Sequence, residues 1–99
     1  MDILKMNTEQ KIIENIDWLI VKGSKPQFYF LENHIICKFE HEDTNIRGKR
    51  IIYTKYKIFD LDGVRINNTI YSTFEECLLL IALGLRNENV DICELLLKR

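Results

Sequence analysis

Apolar residues first recur at helical spacing. Ile12, Ile13, Ile16, Leu19 and Ile20 fall along one stripe, and Asn7 with Gln10 three positions on is a plausible helix start. Lys22 suits a last turn, Gly23 a left-handed cap, and Pro26 blocks continuation. The spacing predicts a helix over residues 8–22, with Trp18 off the centre of its apolar stripe, at an edge or against a partner. From Gln27 the texture becomes aromatic and β-branched, which predicts strands over residues 28–31 and 35–40 joined by a tight turn at Glu32-Asn33. On the second strand Ile35, Cys37 and Phe39 share one face, opposite His34, Ile36, Lys38 and Glu40.

A polar loop over residues 41–49 and a third strand over residues 50–60 follow. Asp62-Gly63 between Leu61 and Val64 is a hairpin-turn signal. A fourth strand over residues 64–70 would be interrupted at Asn67-Asn68. Ser72 with Glu75, and Thr73 with Glu76, have capping-box spacing. They open a helix over residues 74–85 that is apolar nearly all round, so both its sides need cover. Arg86 to Asn89 break it before a last helix over residues 90–97. The expected fold is α+β, one domain over residues 1–99: an N-terminal helix, a three- to four-stranded antiparallel meander sheet, and two C-terminal helices, the helices gathered on one face.

Composition narrows the class. With 46% hydrophobic and 29% charged residues in 99, the chain reads as one globular domain. Its longest apolar run, residues 77–83, is too short to span a bilayer, and the N-terminus has no basic-then-apolar signal pattern. Three irregularly spaced cysteines make no disulfide framework, so a cytoplasmic, reduced protein is expected. A net charge of −1 exerts no global pull on nucleic acid or acidic membranes. Abundant Ile, Asn and Lys, with Ala82 the only alanine, suggest A/T-rich codons, as in low-GC bacteria and their phages.

Residues 58–64 read I-F-D-L-D-G-V. This run is similar to the first motif of the haloacid-dehalogenase-like hydrolases. The resemblance implies Asp60 as nucleophile, Asp62 as general acid/base and Mg²⁺ as cofactor. The surroundings imply otherwise. A strand-to-strand crossover takes roughly 30 residues, so the later catalytic strands of that superfamily have no room after Val64. Tyr53-Thr54-Lys55-Tyr56-Lys57 is too polar for a strand buried on both faces. Asp60 and Asp62 are therefore expected to be turn residues, and no enzyme activity is expected.

Other chemistry is thin. His34, Cys37 and His41, with Cys77 and Cys93, lack the close pairs that zinc sites use, and strand alternation splits them between faces, so no metal or cofactor is expected. Cys37 reads as core, and no residue stands out to orient a Cys–His nucleophile pair. Arg47, Lys49 and Arg50, followed by Tyr53, Lys55, Tyr56 and Lys57, form the best surface candidate, since basic groups suit phosphates and tyrosines stack on bases. The leucine triplets at 78–80 and 95–97 exceed what one sheet can bury, so Ile92, Leu95 and Leu96 are expected to meet a partner or a second copy in a homodimer. The expected function is a non-enzymatic protein-binding module, of the kind a phage or mobile element uses to inhibit a host enzyme such as a defence (CRISPR-type) nuclease. A nucleic acid-binding accessory using residues 47–57 is the alternative.

Overall fold

The computed structural model describes residues 3–84. Helix α1 (Ile3–Ile16) runs into a single 3-10 turn, Asp17–Leu19. Strands β1 (Gln27–Phe30), β2 (His34–Thr44) and β3 (Arg50–Asp60) follow, then helix α2 (Phe74–Ala82). The sheet is an antiparallel meander in the order β1-β2-β3. The class is α+β, as the residue pattern predicts. The second C-terminal helix expected over residues 90–97, with Ile92, Leu95 and Leu96, lies outside the described residues.

Residues 64–70 do not form the expected fourth strand. They run along the outer edge of β3 with isolated bridges, Phe59 to Arg65 and Tyr56 to Tyr71. Local side-chain bonds replace a ladder here. The Asn67 amide donates to the Tyr71 hydroxyl (2.7 Å) and its Oδ1 accepts from the Thr69 N–H (2.9 Å).

The helices cover opposite faces of the sheet, which corrects the expectation that they gather on one. Ile12, Ile16 and Leu19 pack with Ile35, Cys37, Phe39 and Phe59. On the other face Ile36, Ile58 and Tyr71 meet Cys77 and Leu80 of α2. Neighbouring strand residues point to opposite faces, so consecutive apolar residues at Ile35-Ile36 and Ile58-Phe59 each feed two cores. The edge strip serves both as well: Ile70 packs against the α1 core and Ile66 against the α2 core.

Helix α1 starts earlier than residue 8 and stops well before Lys22. At Ile20 the backbone is already extended (φ −88°, ψ 133°), and the Val21 N–H donates to the Glu40 carbonyl of β2 (2.9 Å). The chain therefore leaves the helix to run beside the sheet. Helix α2 uses the predicted Thr73 cap. The Thr73 hydroxyl accepts from the Glu76 N–H and donates to the Glu76 carboxylate, both at 3.1 Å.

Two turns have one construction. In the β2–β3 turn, Asn45 Oδ1 accepts from the Arg47 and Lys49 N–H groups, both at 2.9 Å. Asn45 N–H donates to the Lys49 carbonyl, and Gly48 N–H donates to the Asn45 carbonyl. After β3, Asp60 Oδ1 accepts from the Asp62 and Val64 N–H groups, again both at 2.9 Å. Asp60 N–H donates to the Val64 carbonyl, and Gly63 N–H donates to the Asp60 carbonyl. The fourth residue of each is a glycine at positive φ, 77° for Gly48 and 81° for Gly63.

Candidate protein-binding surface

β2 and β3 are each eleven residues long and pair along their whole length, but β1 covers only Ile35–Lys38 of β2. Beyond Phe39 and Lys55 the sheet narrows to a two-stranded arm. The sequence signal for this extension is weak, because residues 41–44 are His, Glu, Asp and Thr. A ribbon wet on both faces needs no apolar alternation, so the expected loop over residues 41–49 is strand through Thr44. His41 anchors the arm's base: its Nδ1–H donates to the Leu19 carbonyl (2.9 Å), and its ring meets Phe39 edge-on.

The arm exposes apolar groups among charges of both signs. Ile46, at its tip, is fully exposed, and Ile52 and Tyr53 are also exposed. Arg47, Lys49 and Arg50 surround the tip. Arg50 reaches Glu42 at 3.9 Å, an exposed pair of little energetic weight. Register places Tyr53 and Lys55 on the α1 side of the sheet, with Arg50, Ile52 and Thr54 on the α2 side.

Among the described residues the edge of the arm is open along β3. Backbone groups of the even-numbered residues face away from β2, since Tyr56 exchanges both hydrogen bonds with Tyr71 and the Ile58 carbonyl accepts from Ile66. By the same alternation the N–H and C=O groups of Ile52 and Thr54 face outward. The edge strip turns away at Tyr71 before reaching them, and no backbone among the described residues pairs there.

The basic and aromatic residues singled out from the sequence do not share one surface. Lys55 Nζ bonds Ser72 Oγ (3.1 Å) and lies over the Tyr53 ring (5.1 Å). Tyr56 packs against Phe74 at 6.1 Å and belongs to the α2 core. Lys57 is buried, 3% exposed, with its ammonium donating to the Asn67 and Thr69 carbonyls at 3.3 Å each. Only Arg47, Lys49 and Arg50 remain clustered, at the tip. Asp60 and Asp62 share the turn after β3, where Asp60 Oδ1 does the work that an amide oxygen does at Asn45. Cys37 and Cys77 are buried in opposite cores, and burial pushes each thiol up to about 12, far from the thiolate a nucleophile requires. Among the described residues no helix is long and apolar enough to cross a membrane.

Comparison with protein-family models, curated proteins and solved structures finds no match to this chain.

Proposed function

We propose that the protein is a non-enzymatic binding module that grips a partner protein with its two-stranded arm. The observation that carries this reading is the open β3 edge at Ile52 and Thr54, beside an exposed Ile46 at the tip. An unpaired strand edge offers backbone donors and acceptors that an extended segment of a partner satisfies by adding a strand. Exposed isoleucine adds apolar contact, and the tip cations select acidic neighbours. Glu40, Glu42 and Asp43 stand among these cations, and this mixture favours a polypeptide over a nucleic acid backbone. Within this class, the A/T-leaning composition favours a phage or mobile-element accessory whose partner is a host enzyme such as a defence nuclease.

Two substitutions test the arm without touching either core. Ile46→Asp removes the apolar tip. Thr54→Pro deletes an outward N–H while leaving the ladder to β2, because proline is tolerated where the N–H faces away from the sheet. Leu61→Asp, at the far turn, is the control. Wild type and variants are used as bait in lysate of the cells where the protein acts, with captured proteins quantified by mass spectrometry. Partners bound through the arm are expected to fall at least about ten-fold for both arm variants, a loss of about 1.4 kcal/mol, and to persist for the control. Specific partners captured equally by all four proteins would refute the reading.

A further inference from the structure

The open edge of the arm has definite ends. Among the described residues, the outward backbone groups of β3 that meet no other backbone belong to Arg50, Ile52 and Thr54. Past Thr54, Tyr56 is taken by Tyr71, and before Arg50 the chain bends into the Asn45 turn. Ile52 is therefore the centre of the open stretch, and an edge with a residue at its centre can pair with itself. Turned about a two-fold axis at Ile52, a second copy sets its own Ile52 against the first, its Thr54 against Arg50 and its Arg50 against Thr54. Each of these pairs exchanges two hydrogen bonds, about six in all, and none of the outward groups is left over. Neighbouring registers fail. A slip one way puts Arg50 opposite the second copy's Tyr56, whose bonds go to Tyr71, and a slip the other way sets Thr54 against Gly48 in the turn.

Side chains agree with this register. On the α2 side the exposed Ile52 meets its own copy, and on the α1 side the exposed Tyr53 of each chain falls opposite Ile51 of the other. Charges complement as well. Arg50 faces the second copy's Thr54, which bonds Glu40 across the ribbon (3.4 Å). The short threonine leaves the guanidinium between its own Glu42, at 3.9 Å, and the second copy's Glu40. One pair opposes this, Lys49 against the second copy's Lys55. It lies at the rim, and Lys55 is already drawn to Ser72 and the Tyr53 ring.

We infer that the arm edge is a self-pairing site: two copies join β3 to β3, antiparallel about Ile52, and their sheets become one. The inference rests on the same open edge as the proposed function and adds its regulation. A partner's segment and a second copy compete for the same backbone groups, so the dimer covers the edge until a partner displaces it. So short a contact belongs to the weak class below about 1,200 Å², and a dissociation constant of about 10–100 µM is expected.

The test uses the full chain and reads both association and register. Sedimentation equilibrium from about 1 µM to about 1 mM, a span that brackets the expected constant, should show a monomer passing into a dimer. Ile52→Asp, on an exposed side chain, sets two carboxylates against each other at the axis and should raise the dissociation constant at least about ten-fold. Register is read by cross-linking in a Cys93→Ser background with copper–phenanthroline as oxidant. Ile52→Cys places two thiols on Cα atoms about 5.5 Å apart, inside the disulfide range of about 4.4–6.8 Å. Thr54→Cys, on the same side of the same strand, leaves them roughly 14 Å apart, four residues' rise at about 3.4 Å each. The first should cross-link at least about ten-fold faster than the second. A monomer at every concentration, a dimer unmoved by Ile52→Asp, or cross-linking no faster at residue 52 than at residue 54 would each overturn the inference. Any of these leaves partner capture by the arm standing, since capture needs the open edge and not a second copy. Loss of arm-dependent capture, in turn, would sink the proposed function without touching the dimer.

Discussion

Asp60 offers a sharp test of what its residue type is for, because its turn has a natural control inside the same molecule. Asp60→Ala removes the acceptor of two N–H bonds at 2.9 Å, from Asp62 and Val64. Both bonds lie at the surface, so the freed donors turn to water and the loss stays at the lower end of the usual range, about 0.5–1 kcal/mol each. The expected cost is about 1–2 kcal/mol, comparable with deleting a helix N-cap. For a domain of this size that lowers Tm by roughly 5–15 °C. Asp60→Asn keeps an oxygen in the same place and should cost less than half as much. Asn45→Asp, the reciprocal change in the twin turn, should likewise be nearly neutral. Thermal and urea melts on these variants give the numbers, with unchanged m-values showing that the unfolded reference is the same. If Asp60→Asn destabilises as much as Asp60→Ala, the oxygen is not what matters and the shared construction of the two turns is irrelevant to Asp60. If both are neutral, the turn does not need its side chain at all.

Gly63→Ala should cost more than Gly48→Ala. Both glycines sit at positive φ, but a Cβ on Gly63 would come within 3.3 Å of Thr8 Cγ2 on α1, whereas one on Gly48 meets nothing within 4 Å. Urea melts should separate the two by about 1 kcal/mol or more, and equal losses would show that the helix does not press on this turn. Cys37 and Cys77 should alkylate only on unfolding, which peptide mapping after iodoacetamide treatment would show. Their folded pKa is raised to about 12, from an ordinary 9.0. Unfolded thiols therefore ionise first: the stability is fully present below about pH 9 and is lost as pH rises from there towards 12, at up to about 1.4 kcal/mol per thiol per pH unit. The pH slope of wild type minus that of a Cys37→Ala/Cys77→Ala variant isolates this part, and identical slopes would refute it.

The third strand was legible residue for residue, because its aromatic and β-branched run stands between two polar turns. The first helix was legible in its buried face, Ile12, Ile16 and Leu19, but not in its ends. Its early stop depends on Val21 finding the Glu40 carbonyl, a partner distant in sequence. The placement of helices on both faces was half-written in Ile35-Ile36 and Ile58-Phe59. Grouping Ile36 with His34, Lys38 and Glu40 hid the second core behind polar neighbours at the strand's periphery. The arm left almost no trace, since strand wet on both faces and polar loop have similar composition. Nor is the inward turn of Lys57 legible: it reads as a surface cation, yet its ammonium reaches the Asn67 and Thr69 carbonyls of the segment that follows the β3 edge.

The β2–β3 ribbon also bears on how the chain finds its fold. Eleven consecutive cross-strand pairs, from His34–Asp60 to Thr44–Arg50, are closed by a turn that satisfies itself through Asn45 and Gly48. None of these pairs requires α1 or α2, and loop closure is cheapest at the tip. A zipper starting at Asn45 would bury its first apolar side chain fully only at Phe39, after crossing an arm whose Ile52 and Tyr53 stay exposed. Nucleation is therefore favoured at the opposite end of the ribbon, where Ile35, Ile36, Ile58 and Phe59 can collapse with either helix. The arm then closes last and opens first. Its amides should exchange with solvent at a far lower free energy than those of Ile36 or Ile58, leaving the strand edge pliable while the sandwiched half stays rigid.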